Sequence, residues 1–294
     1  MEKERVPALT QDSKFENSRG AAMRSKRVYL TLLFAFVLVV LPASRFAQEE
    51  PQITPEQKRQ FLLTAKVIGE KQLSKGITNS YKLTLSDGVM THEAHFQSIN
   101  ERRSYKQLER GGEINFVDSY LYNLAAYEIS GLIGMEDMVP VTVERSWKRK
   151  TGALAWWFPT LMTEGERRDR KISPPDIAAF NKSMYKVRVF TELIYDTDRW
   201  NPGNVLIGKN WEVYMVDFTR AFRLYHELKN PEGLVSCSRE LLAKLRALDR
   251  DVLAAKVGDH LNKLEIDGIM KRRDKIVAHF EALITEKGEG AVLY

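Results

Sequence analysis

The chain has 294 residues, of which 44% are hydrophobic, 10% aromatic and 29% charged, which excludes a disordered tail, a collagen-like repeat and a protein with many membrane spans. Lys and Arg number 45 against 39 Asp and Glu, and most of the resulting +6 falls on residues 1–47, with eight basic and four acidic side chains. The rest is near neutral, so no nucleic-acid partner is expected. The length supports one large domain or two modest lobes.

Residues 1–22 read as an unstructured extension, with Met23 an alternative start. Met23 to Arg27 is a basic run, Val28 to Leu41 carries no charge, and a polar exit begins at Pro42. Basic flank, short apolar core and polar exit form the signal-peptide pattern. The core is shorter than the roughly 20 residues that span a bilayer comfortably. Ala47 suits the last position before a cleavage, but Arg45 stands where a small residue is wanted. A membrane anchor over 28–41 is therefore the alternative. Either way the folded part is expected outside the cytoplasm, secreted, periplasmic or anchored. Cys237 is the single cysteine, so no disulfide within the chain or multi-cysteine metal site is possible. A passive role is expected for it.

Residues 48–60, with Pro51 and Pro55, read as a linker. Tyr81 to Leu85, the Ser86-Asp87-Gly88 turn and Val89 to Ile99 predict a β-hairpin. Residues 100–114 are charged and contain Gly111-Gly112, which predicts a solvated loop. Phe116 to Ile133 predicts a helix with Leu121, Leu124, Ala125, Ile129 and Leu132 on one stripe and Asp118 as its cap. Val139 to Arg145 and Ala153 to Met162 are strand-like. Residues 164–175 end in Pro174-Pro175 and suggest a hinge. Asp176 caps a helix running to Tyr195, and Asn204 to Phe218 forms a second hairpin around Lys209-Asn210. Helices over 237–247, 249–262 and 264–286 close the chain, with Lys271, Arg272 and Arg273 on the polar face of the last. Strands early and helices late predict an α+β fold. Two lobes with a cleft between them follow, 61–165 as the N-lobe and 166–294 as the C-lobe.

The densest chemistry lies in Tyr195-Asp196-Thr197-Asp198-Arg199-Trp200-Asn201-Pro202-Gly203-Asn204, followed by Val216-Asp217-Phe218-Thr219-Arg220. Asn204 opens one strand of the second hairpin and Asp217 closes the other, so both lie at its open end. A carboxylate and an amide oxygen there can share a hard cation, and Asp198 adds a third oxygen group just upstream. Phosphoryl transfer needs that set: one carboxylate for the acceptor, and an Asn and an Asp to hold Mg²⁺ on phosphates. The same residue types also occur in ordinary loops, with Asp217 capping the next segment.

This segment resembles the catalytic core of the atypical protein-kinase-like superfamily, in particular the secretory-pathway (Golgi casein kinase) and HipA-type families, with lipid kinases more distant. Asn123-Leu124-Ala125-Ala126-Tyr127, with Leu132-Ile133-Gly134 and Val139-Pro140-Val141 after it, resembles the C-helix segment of the Golgi kinases. The resemblance covers 75–223. It implies a two-lobed kinase-like fold, a small β-rich N-lobe with one C-helix and a helical C-lobe. It implies Asp198 as base, Arg220 as a supporting catalytic residue, and Asn204 and Asp217 as Mg²⁺ ligands. Ala153 to Thr163 would form the strand and hinge at the adenine, and Gln97, Asn123 and Thr163 would touch the nucleotide. ATP or another nucleoside triphosphate would be the donor, and a hydroxyl on a protein, sugar or lipid the acceptor.

The sequence departs from that pattern in four ways. Asp198 and Asn204 are six apart rather than five, so Asn201 or Asp196 could share a role. Gln97 stands where the phosphate-gripping Lys is expected, and Asn123 where its Glu partner is expected; they can hydrogen-bond each other but cannot neutralise phosphate. No Gly-rich loop is present, Lys75-Gly76 being the one candidate. The expectation is an exported kinase-like phosphotransferase, with a pseudokinase binding or scaffolding module as the alternative. His92 and His95, three apart on a strand, face opposite sides and are not a metal pair. Trp156-Trp157-Phe158 reads as core or hinge.

Overall fold

The computed structural model describes residues 53–73, 80–108 and 111–294. The expected signal peptide or anchor, the extension before it and the Lys75-Gly76 loop lie outside the described residues. Among those residues no helix is long and apolar enough to cross a membrane.

Helix α1 (Pro55–Thr64) occupies much of the stretch read as a linker. The reason is a capping box: the Thr54 hydroxyl accepts from Gln57 N and the Gln57 side chain accepts from Thr54 N, with Pro55 suited to the first turn. Strands β1 (Lys66–Gln72), β2 (Ser80–Ser86) and β3 (Thr91–Gln97) follow, the last two forming the expected hairpin. After the ribbon and helix described next come β6 (Thr142–Trp147) and β7 (Lys150–Trp156), giving an antiparallel sheet in the order β1-β2-β3-β7-β6. Period-two alternation sorts its faces. Leu83, Leu85, Ala94, Phe96, Leu154 and Trp156 pack with Phe61 and Leu62 of α1. Arg145 on β6 fixes that helix, its guanidinium donating to the carbonyls of Leu62 and Ala65, both at 2.7 Å. Lys82, His95 and Ala155 share the opposite face.

Residues 100–114 are not a solvated loop. Strands β4 (Asn100–Leu108) and β5 (Gly111–Ser119) form a separate two-stranded ribbon. Most of its side chains are polar and exposed because little packs on its outer part, so its composition imitates a loop. Strand β5 runs to Ser119, and α2 (Leu121–Leu132) starts five residues later than predicted. Asp118 therefore sits on a strand and does not cap the helix, whose N-cap Tyr120 makes no side-chain cap bond.

Strand β8 (Met162–Thr163) leads into α3 (Glu164–Asp169), which replaces the predicted hinge over the first part of 164–175. A second capping box, Thr163 with Glu166, starts it. Helix α4 (Ile177–Leu193) is capped by Asp176 as expected. Strands β9 (Val205–Ile207) and β10 (Val213–Met215) form the second hairpin, in a sheet ordered β10-β9-β8. Helices α5 (Arg239–Ala247), α6 (Arg250–Val257), α7 (Lys263–Lys287) and α8 (Glu289–Val292) finish the chain, with Ser238, Asp249 and Asn262 capping the first three. The larger core joins α2, α4, α5 and α7 around Ile129, Phe190, Leu242 and Phe280.

Two residues differ from their sequence reading or sharpen it. Arg272 is fully buried rather than on a polar face, and donates to the carbonyls of Leu193, Arg223 and Tyr225 at 2.9, 3.1 and 2.5 Å. Cys237 is a buried free thiol pushed up to about 12 by burial, which leaves it unreactive. For the sheet region, Arg145→Met is expected to lower the unfolding free energy by about 1.5–3 kcal/mol in urea titrations, because two helix-end carbonyls lose a charged donor.

Candidate functional site

The site is built around a loop, residues 195–204, and the segment after β10. Arg199 holds the two together. It is fully buried with Asp196, and their ion pair is 2.5 Å. Its Nε and Nη2 donate to Asp196 Oδ2, Nη1 to the carbonyls of Asn204 and Val216 at 2.6 and 2.7 Å, and Nη2 to Asp217 O at 3.3 Å. All five guanidinium N–H groups are thus engaged. The Phe218 ring lies 4.4 Å from the guanidinium carbon. Further ties are Val216 N to Asn204 O at 3.0 Å, Phe222 N to Ile194 O at 2.6 Å and the Thr197 hydroxyl to Arg220 O at 2.9 Å.

This frame brings Asp198, Asn204 and Asp217 to one place. The Asn204 amide nitrogen donates to Asp198 O at 3.0 Å and to Asp198 Oδ2 at 3.3 Å. The Asn204 amide oxygen is thereby turned away from Asp198. Asp217 has φ 56°, a left-handed conformation that Asp tolerates better than most residues. One of its oxygens accepts from the Thr219 hydroxyl at 2.9 Å. Asp198 is pushed above the ordinary carboxylate range by burial first, then by the Asp217 and Asp196 carboxylates. Asp118 is likewise raised, chiefly by burial, and its Oδ1 is buried with no hydrogen-bond partner among the described residues.

Across from this floor, Gln97 and Asn123 meet as their chemistry allowed. Asn123 Nδ2 donates to Gln97 Oε1 at 2.9 Å, and Asn123 Oδ1 accepts from Phe218 N at 2.8 Å. A neutral relay therefore links β3, α2 and the residue after Asp217. Glu128, the carboxylate of α2, lies apart from it near Arg59 and Lys256 at 3.8 and 4.0 Å. The remaining sequence candidates sit as follows. Thr163 pairs with Leu206 in the sheet and its hydroxyl caps α3. Asn201 is exposed, with Nδ2 3.4 Å from Asp198 Oδ2. Asp196 is taken up by Arg199 and by Asp198 N at 2.9 Å. Arg220 pairs with Glu113 of the ribbon.

Sequence reasoning missed three contributors. Arg199 was part of the motif yet carried no role; its place three residues after Asp196, before an apolar strand, was the available signal. His95 was considered only as half of a metal pair and given no role, but period two from Gln97 puts it on the cleft face, where it interacts electrostatically with Asp217. Burial holds its imidazole below the ordinary range, and the Asp217 carboxylate pulls the other way. The ribbon's Glu113 gave no signal. Trp156 is core, edge-on to Phe61, whereas Trp157 is edge-on to His95 and Phe158 stacks on Tyr214 at 3.9 Å.

No protein-family model matches the chain, and no curated protein matches it in sequence. Solved structures do match. A hydra Fam20 structure with sugar is similar at TM-score 0.56 and 14% identity, over 81% of this chain and 91% of that one. A Golgi casein kinase is similar at TM-score 0.58 and 11% identity, over 81% of this chain and 77% of that one. The same kinase with Mn and ADP bound gives TM-score 0.57 and 12% identity, over 81% and 78%. The chain has a protein-kinase-like fold, with a β-sheet N-terminal region and a helical C-terminal region.

Two outcomes are expected. Arg199→Met strands Asp196 as an uncompensated buried charge and should cost about 3–5 kcal/mol of stability by denaturant titration. Arg199→Lys should recover only part, having three donors for five positions. Asp118→Asn should raise Tm at pH 7.5 in chelator. There the folded state holds a carboxylate ion that burial disfavours, so removing its charge stabilises. The gain should shrink as pH falls, because below the ordinary Asp range both states of the wild type are already protonated.

Proposed function

We propose that the chain is an exported kinase-like phosphotransferase that moves a phosphoryl group from a Mg²⁺-bound nucleoside triphosphate, ATP being the first candidate, to a hydroxyl acceptor on a protein, sugar or lipid. The observation that carries this reading is the convergence of Asp198, Asn204 and Asp217 at the open end of one hairpin. The similarity to a kinase with Mn and ADP bound adds support for a nucleotide and a divalent cation.

The residues fit a hard cation. Asn204 and Asp217 offer oxygen only, with the Asn204 amide nitrogen occupied by Asp198 and one Asp217 oxygen by Thr219. Asp118 nearby keeps one buried oxygen without a hydrogen-bond partner among the described residues. Among the described residues no group of three or more His, Cys, Asp or Glu is arranged to hold a metal. Two protein ligands suit Mg²⁺, which commonly completes its shell with water and substrate phosphates. The cation would neutralise charge on the phosphates.

Asp198 does the proton work in this reading. Its carboxylate accepts the acceptor's hydroxyl proton as the new O–P bond forms, while the bond from the terminal phosphorus to the nucleoside diphosphate breaks. Burial raises its basicity, which favours that role near neutral pH. Asn204 holds the carboxylate in place through its Nδ2. Gln97 and Asn123 position the start of the segment after Asp217 but offer no charge to the phosphates.

That neutral relay favours the second reading, a pseudokinase that binds without turnover. Calorimetry of ATP on the full-length chain tests the first step. Binding should require Mg²⁺. It should weaken in Asp217→Ala by more than the roughly 10–100-fold typical of losing an outer-shell partner. A folded protein that binds no nucleotide would overturn the first reading and leave the second, as a scaffolding module. Binding with no ADP formed under any acceptor condition would favour the second.

A further inference from the structure

A cavity of about 1500 Å³ opens beside the proposed base, between the β4–β5 ribbon and the C-terminal region. Asp198 and Asn201 line it, whereas Asn204 and Asp217 do not. It therefore meets Asp198 without including the proposed cation ligands in its wall, as a place for an acceptor would. Its walls include Arg220 and Arg223, which follow the site segment, and Glu113 from the ribbon.

The charge pattern on this wall is unequal. Glu113 is the carboxylate for both guanidiniums: Arg220 Nη2 pairs with one of its oxygens, and Arg223 Nη2 lies 2.6 Å from the other. Arg223 is 7% exposed, and its Nη2, despite that ion-pair distance, makes no hydrogen bond of good geometry. Arg220 Nε is also buried with no hydrogen-bond partner among the described residues. One buried and one half-buried cationic fork thus share one paired carboxylate, and each keeps a buried donor unmet, which is costly in a desolvated place. Other charges act on them from further away. Asp118 acts on both at longer range, Asp198 acts on Arg220, and Lys106 adds positive charge beside Asp118. Arg220 is further fixed by Phe116, whose ring centroid lies 4.4 Å from the guanidinium carbon. Planar forks held by stacking are the geometry that recognises carboxylate or phosphate oxygens.

We propose that Arg220 and Arg223 form an anion subsite for a negatively charged group on the acceptor, and that Glu113 occupies this subsite until the acceptor displaces it. The proposal deepens the phosphotransferase reading by naming the acceptor class, an anionic molecule with a free hydroxyl within reach of Asp198. The ribbon is then an acceptor-holding element whose own carboxylate imitates the ligand.

The phosphate titrations need neither metal nor nucleotide, so their failure is separate from failure of Mg²⁺–ATP binding, and Mg²⁺–ATP enters only as a competitor in a separate run without chelator. Inorganic phosphate is titrated by calorimetry into the full-length chain in chelator, with Glu113→Gln and Arg220→Gln compared. Glu113→Gln removes the competing carboxylate from a partly exposed position and should tighten phosphate roughly tenfold. Binding seen only in that variant supports the proposal equally. Arg220→Gln, checked for unchanged thermal unfolding, should lose it. Glycerol phosphate, which joins an anion to free hydroxyls, should bind at least as well as phosphate, and saturating Mg²⁺–ATP should not displace it. Equal affinity in all three proteins would overturn the proposal, as would no binding even in Glu113→Gln. Binding of free phosphate alone, or displacement by Mg²⁺–ATP, would also overturn it. The last result would put the anion among the donor's phosphates.

Discussion

One buried guanidinium organises the site. Arg199 sits with no exposed surface and directs five N–H bonds at Asp196, Asn204, Val216 and Asp217. Three of those acceptors are backbone carbonyls from the two edges of a hairpin that is only three residues long on each side. So short a hairpin cannot hold its ends in register by its own ladder. The planar fork does it instead, and the low dielectric around it stiffens the arrangement. Asp196 supplies the compensating charge, which explains why it is not free to act as a base. The chain enters and leaves this knot in unusual conformations, with Tyr195, Asp217 and Phe222 all at positive φ. The ties from Phe222 N to Ile194 O and from Val216 N to Asn204 O hold that strain in place.

The roof of the cleft follows a different logic. In place of an ion pair, β3 and α2 meet through two amides, and the same Asn123 reaches Phe218 N. An amide relay sets distance and orientation without a charge that could grip phosphate. The proposed cation ligands and the proposed base are thus well organised together, while Gln97 opposite them carries no charge. Basic side chains line the cavity beside Asp198, Arg220 and Arg223 among them.

Much of this was legible in the residues, for physical reasons that differ by element. The β2–β3 hairpin announced itself through Asp87-Gly88, and the Asp87 carboxylate does accept from the backbone of Val89 and Met90 at 2.9 and 2.8 Å. The closing helices were readable because Ser238, Asp249 and Asn262 are side-chain caps. Helix α1 and the ribbon were not. The first hides behind prolines that begin a helix as readily as they end one, and the second carries charge on both faces because little covers it. The closeness of Asp198, Asn204 and Asp217 could be foreseen from hairpin geometry alone. The pairing of Glu113 with Arg220 and Arg223 could not. It joins residues more than 100 positions apart, and no periodicity encodes it.

The most direct test of the Arg199-built site is a crystal structure of the chain grown with Mn²⁺ and a non-hydrolysable nucleoside triphosphate. Anomalous scattering would locate the cation. The expected result is a Mn²⁺ peak in contact with Asn204 and Asp217, phosphates on its far side, and Asp198 facing the open cavity. A nucleotide seated with its phosphates on Arg220 and Arg223, or a cation that ignores Asp217, would contradict it.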